Sequence, residues 1–160
     1  EAAIARFTSI INDFADLYQA EWLRIFASKL GIDPGHPEVR PLAEALLGLM
    51  AQGGSDFTNT FAALADGTAR DQIADRDGWT AWEGRWQALS PDAAVMRAAN
   101  PLVIPRTHLI EAAITAGRGG DFAPFHAMLA AVTQPFVAGD ALFRTPPTED
   151  ERVLRTFCGT

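Results

Sequence analysis

The sequence predicts an all-α fold, an irregular bundle of about six to eight helices with one extended proline strap, and three observations lead to it. Apolar side chains recur at three- and four-residue steps along most of the chain. No stretch alternates apolar and polar residues for long enough to make a strand. Glycines, prolines and short polar caps fall where such helices need their ends.

The first helix is the most strongly marked. Ile4, Phe7, Ile11, Phe14, Tyr18, Trp22, Ile25 and, a turn on, Leu30 share one line, which predicts a helix of roughly 27 residues and ~40 Å, at 1.5 Å per residue. Gly31 ends it. Ile10, Leu17 and Phe26 widen the stripe beyond a coiled-coil seam, so its expected place is a globular core. Asp33-Pro34-Gly35-His36-Pro37 reads as a loop. Pro41 suits the first turn of a second helix carrying Leu42, Ala45, Leu46, Leu49 and Met50, closed by Gly53-Gly54. Asp56 caps a short helix with Phe57, Phe61 and Leu64 on one side, and a break at Gly67 leads to a helical turn around Ile73.

Trp79, Trp82 and Trp86, followed by Leu89, place three aromatic anchors on one helix face. Tryptophan so dense reads as a structural face in preference to a ligand cage. It belongs either to this domain's own core or to a contact with another part of a longer chain. Ser90-Pro91-Asp92 supplies an N-cap, a first-turn proline and an acidic first turn for a helix ending at Asn100.

From Asn100 to His108 neither period holds. Pro101 and Pro105 each remove a backbone donor and push Asn100 and Ile104 out of the α region, so the segment is expected to run extended over a surface with Val103 or Ile104 tucked in. Helical period returns with Leu109, Ile110, Ala113 and Ile114, stops at Gly117-Arg118-Gly119-Gly120, and restarts behind Asp121 with Phe122, Phe125, Met128, Leu129 and Val132. The rest of the chain is expected to pack around this strap, helix, turn and helix. Gln134-Pro135-Phe136 and Thr145-Pro146-Pro147 should stay extended, and Thr148 with Glu151 forms a capping box for a last helix bearing Val153, Leu154 and Phe157.

At 160 residues and 48% hydrophobic content, residues 1–160 suit a single helical domain that buries roughly two thirds of its unfolded surface. The 13 basic against 20 acidic residues give a net charge of −7, the wrong sign for a phosphate-tracking surface, so nucleic acid and anionic membranes are not expected partners. No apolar run approaches the ~20 residues of a bilayer span. One cysteine, Cys158, forms no internal disulfide, which suits a reducing, cytoplasmic setting or a bond to something outside the chain. The chain opens on Glu1 and is in helical register by Ile4, which reads as a piece of a longer protein.

Chemistry is sparse. The glycine-rich run before a helix lacks the strand and lysine of a phosphate loop and reads as a helix–helix turn. The same unit superficially resembles a helix-turn-helix, yet its second helix offers only His126 as a polar reader. His108 and Glu111 have metal-ligand spacing but no visible partners, and the Glu149-Asp150-Glu151 cluster suits a helix dipole. No nucleophile is paired with a base.

Motifs add what periodicity does not. Asp56-Phe57-Thr58-Asn59-Thr60-Phe61, then Met96-Arg97-x-x-Asn100-Pro101-x-x-Ile104-Pro105-Arg106-x-His108 with Glu111, Gly120-Asp121-Phe122 with Pro124-Phe125, Pro146-Pro147, and the closing Arg155-Thr156-Phe157-Cys158-Gly159-Thr160 resemble the carboxyl-terminal region of the selenoprotein O family. Trp22 and Lys29-Leu30-Gly31 look like it too. The resemblance implies a parent that is a kinase-fold pseudokinase, binds ATP with Mg²⁺ or Mn²⁺, and transfers AMP to Ser, Thr or Tyr of protein substrates. It implies that the catalytic and cofactor-binding residues belong to an upstream kinase-like domain, the partner of this segment. It further implies a redox and regulatory role for Cys158, through a disulfide with that domain. Without its partner domain the fragment would show an uncovered apolar surface, either the tryptophan face or the outer side of the first helix, and self-associate. The alternative is a free-standing helical interaction domain without enzyme activity.

Overall fold

Seven α-helices and two 3₁₀ turns, with no strand, make up the residues that the computed structural model of this chain describes, 2–153. Leu154, Phe157 and Cys158 lie outside the described residues. In chain order the helices are α1 (Ala2–Leu30), α2 (Val39–Gly53), α3 (Phe57–Leu64), α4 (Arg76–Gln87), α5 (Ala93–Ala99), α6 (Thr107–Arg118) and α7 (Ala123–Val132), with 3₁₀ turns at Ala69–Gln72 and Ala141–Phe143. The all-α architecture is the predicted one. The described chain forms two compact units that divide between Ala99 and Asn100.

The first unit packs α2, α3 and α5 on α1, and α4 on α2. Its core is made by Phe26 and Leu30 of α1, Leu42, Leu46 and Met50 of α2, Phe61 and Leu64 of α3, Trp79, Trp82 and Trp86 of α4, and Met96 of α5. The expectation that the chain packs around residues 96–132 is therefore corrected. The core of the first unit forms where the tryptophans, the largest apolar side chains, meet the end of α1 and the buried line of α2. All three tryptophans are buried, so the tryptophan face serves this unit's own core.

Local chemistry sets the ends. Gly31 takes φ +69° and turns the chain out of α1, as expected. Asp56 accepts a hydrogen bond from the Asn59 amide at 2.8 Å and caps α3. Asp75, which the sequence reading passed over, caps α4 in the same way through the Gly78 amide at 2.9 Å. The cap of α5 is Asp92 rather than Ser90: its carboxylate accepts from the Ala94 amide at 2.7 Å, whereas Ser90 sits at φ +53°, three residues before the helix begins.

One expectation about α1 fails. Ile4, Phe7, Ile10, Ile11, Phe14, Leu17 and Tyr18 are between 53% and 71% exposed, and burial begins only near Trp22. The helix is as long as its period predicts, but its first five turns stand clear of the core built by its last two.

In the second unit α6 and α7 pack as a hairpin. The strap runs extended, with Val103 buried and Ile104 half-buried. The amides of Leu102 and Val103 both donate to the Pro135 carbonyl, at 2.7 and 3.1 Å. Gln134–Val137 is a turn rather than the expected extended segment, closed by the Val137 amide on the Gln134 carbonyl at 3.1 Å, with Pro135 at the position where a turn favours proline. The box at Thr148 forms, the Thr148 amide donating to the Glu151 carboxylate at 2.9 Å. No helix follows within the described residues: 149–151 make a turn and 152–153 are irregular.

Candidate functional site

Cys158, the residue that carries the expected regulatory role, lies outside the described residues. The described residues of this unit end at Val153, which lines a hollow. Ile104, Pro105, Arg106, Thr107 and His108 from the strap and the start of α6 face Pro147, Glu151, Arg152 and Val153 across a hollow of about 430 Å³. The second unit thus brings the proline strap and the start of the terminal segment together.

Each side of the hollow is held by hydrogen bonds. The Arg106 guanidinium is buried, and its Nη2 donates to the Arg144 carbonyl at 2.8 Å, tying the strap to the end of the second 3₁₀ turn. Nothing in the sequence beyond the Pro-Arg-Thr context separated this arginine from a surface one. Across from it, the Glu151 carboxylate accepts from both the amide and the hydroxyl of Thr148, each at 2.9 Å. Those bonds, the amide first, hold the Glu151 carboxyl below its ordinary range, and the positive field of His108 adds to them. His108 Nδ1 is buried and has no hydrogen-bond partner among the described residues. His108 and Glu111 gather no third ligand there: no three His, Cys, Asp or Glu side chains of the described residues converge as a metal site would require.

A second hollow, of about 420 Å³, lies in the first unit between α1 and α5, lined by Arg24, Ile25, Ser28, Lys29, Val95, Ala98 and Ala99. Arg24 and Lys29 are its charged members, and Lys29 is the more buried. Its Nζ sits 5.6 Å from the ring centres of both Phe57 and Phe61 and donates to the Ala99 carbonyl at 3.4 Å. Burial pushes the ammonium pKa down, while the aromatic faces favour the cation. Sequence reasoning took Lys29 as part of a motif only. Its role is to close one end of the aromatic cluster of α3.

The glycine run is a helix–helix turn, as its composition predicts. α6 ends at Arg118, Gly120 adopts φ +88°, and Asp121 accepts from the Ala123 amide at 2.9 Å ahead of α7. Ile110, Ala113, Ile114, Phe122, Phe125 and Met128 line an apolar groove of about 500 Å³ between the two helices. Among the described residues the arrangement offers surfaces and anchors. A buried tryptophan core holds the first unit, a strap holds the second, and apolar faces on α1 and along the α6–α7 hairpin stay open.

No protein-family model matches the chain. Individual proteins do, over its whole length. It is 46% identical over 164 residues to the protein nucleotidyltransferase YdiU of Roseobacter denitrificans, 44% over 166 residues to that of a Ruegeria species, and 41% over 167 residues to that of Ruegeria pomeroyi. In each case the match takes in all of this chain and 35% of the relative. Identity at this level along the entire length means that the chain corresponds to a region of the YdiU family, spanning about a third of the length of the members it matches.

Proposed function

We propose that this chain is the carboxyl-terminal helical module of a larger protein nucleotidyltransferase that transfers AMP from ATP, with Mg²⁺ or Mn²⁺, to Ser, Thr or Tyr of protein substrates. The observation that carries this reading is the match to YdiU proteins over all of this chain but only 35% of theirs. Catalysis belongs to the kinase-like remainder. The module supplies structure, and its terminal segment supplies regulation in the cytoplasm of a bacterium.

Cys158 is the regulatory residue in this reading. Two thiols, one of them Cys158 and the other in the kinase-like region, give up two electrons and two protons to a disulfide oxidant and form an S–S bond that restrains the active site. A reducing dithiol reverses the step. The test is AMP transfer from labelled ATP by the full-length parent and by its Cys158→Ser variant, each with and without reductant. Activation of the parent alone is the expected result. A parent that responds as the variant does returns Cys158 to a structural role, and a parent without transfer removes the enzyme reading in favour of a free-standing interaction domain.

A further inference from the structure

The first helix carries two apolar faces that point in different directions. Near its end Leu23, Phe26, Ala27 and Leu30 turn toward the core. Earlier, Ile4, Phe7, Ile11, Phe14 and Tyr18 form a line of their own and are exposed. At 100° per residue the centre of the early line lies roughly 130° around the helix from the centre of the late one. On the early turns, the side that would continue the core-facing line carries Ser9, Asn12, Asp16 and Gln19 instead. The early face is thus no extension of the core that happens to be uncovered. It is a separate apolar surface, built on the polar back of the core-facing side.

We propose that this face, from Ile4 to Tyr18, is the seat on which the remaining region of the parent chain docks. The proposal rests on the reading of the chain as a module of a larger protein and names the surface that joins the two. Two observations select this occupant. The relatives carry about two thirds of their length outside the part this chain matches, since the match spans 35% of them, so an occupant joined by the backbone exists in each. Ile10 and Leu17 broaden the line into a stripe wider than the two-position seam of a paired coil, the width that a helix buries against a globular neighbour. Ile25, also exposed, lies on the same side of the helix and carries the track to Val95, beside the hollow of Arg24 and Lys29.

The experiment measures how fast a maleimide labels single positions, resolved by mass spectrometry, in the full-length parent and in the 160-residue chain at the same low concentration. Phe14→Cys and Ile11→Cys sit on the face, and Asp16→Cys sits on the opposite side. In the short chain all three should label at similar rates. In the parent, labelling at Phe14→Cys and Ile11→Cys should slow by about tenfold or more while Asp16→Cys keeps its rate. Equal rates at Phe14→Cys in the parent and the short chain overturn the proposal. So does protection in the parent that grows with its concentration, which assigns the face to a second copy. A parent that transfers nucleotide normally with Phe14→Cys open leaves the module reading standing and removes this surface alone.

Discussion

The indole Nε1–H of Trp86 donates to the carbonyl of Leu30 at 2.8 Å, a buried hydrogen bond between residues 56 apart. Leu30 ends α1, where carbonyls have no partner within the helix, so one side chain both fills the core and satisfies a helix end. Trp86→Phe keeps most of the apolar volume and strands that carbonyl, and should lower stability by about 1–3 kcal/mol. Trp86→Ala adds a cavity and should cost roughly 3–5 kcal/mol. Urea unfolding followed by tryptophan fluorescence separates the two.

Gly31 and Gly54 both have positive φ, +69° and +65°, but only one is crowded. A Cβ at Gly31 would lie 2.6 Å from the Asp92 carbonyl oxygen and 2.9 Å from its amide nitrogen, whereas at Gly54 nothing lies within 4 Å. Gly54→Ala should therefore cost only the left-handed strain, about 1–2 kcal/mol. Gly31→Ala should cost roughly 2–5 kcal/mol, since α5 must also move off α1. Equal shifts in Tm for the two variants would show that the close approach of Asp92 carries no weight.

Glu151 holds its carboxyl below the ordinary range through the Thr148 amide, then its hydroxyl, with His108 adding to them. A depressed acid stabilises the fold at pH values above its unfolded pKa, and that contribution fades as pH falls through the lower, folded value. Exchange at the Thr148 amide should thus quicken as pH drops through and below the ordinary carboxylate range, after correction for intrinsic rate. Glu151→Gln should remove that dependence.

Phe14 and Phe26 stand on the same helix and should respond in opposite ways to truncation. Phe14→Ala removes an exposed ring and should change stability by no more than about 0.5 kcal/mol. Phe26 is buried against Phe61 at 5.9 Å between ring centres, and Phe26→Ala should cost roughly 3–5 kcal/mol. Denaturant midpoints of the two variants check the division of α1 into a core-facing end and an open face.

That division marks where sequence reading ran out. Ile4 to Leu30 announced the helix by period alone, because three- and four-residue steps dictate one face whatever lies opposite. They did not say which partner covers the face, since an apolar stripe reads the same against its own core or against another region. The roughly 130° turn between the stripe's two halves was present in the sequence, in Leu23, Ala27 and the polar residues from Ser9 to Gln19, but shows only when each half is assigned its own direction. Asp56 was legible as a cap because one apolar helix follows it directly. Asp92 was masked by Ser90, a better-known cap type two residues earlier, and only the φ of +53° at Ser90 decides between them. The strap was legible because its two prolines leave few conformations. The burial of Arg106 was not, since its partner Arg144 is 38 residues on.

The most direct test of the central claim, that this chain is a module without catalytic groups of its own, is nucleotide transfer by the chain itself. The purified 160-residue chain is incubated with ATP labelled in its α-phosphate, Mg²⁺ or Mn²⁺ and a protein acceptor, beside the full-length parent. The expected result is label on protein with the parent and none with the chain, because transfer rests on positioned metal and cationic groups, which the proposed function assigns to the kinase-like remainder. Stoichiometric binding of ATP or transfer of label by the chain alone would contradict it.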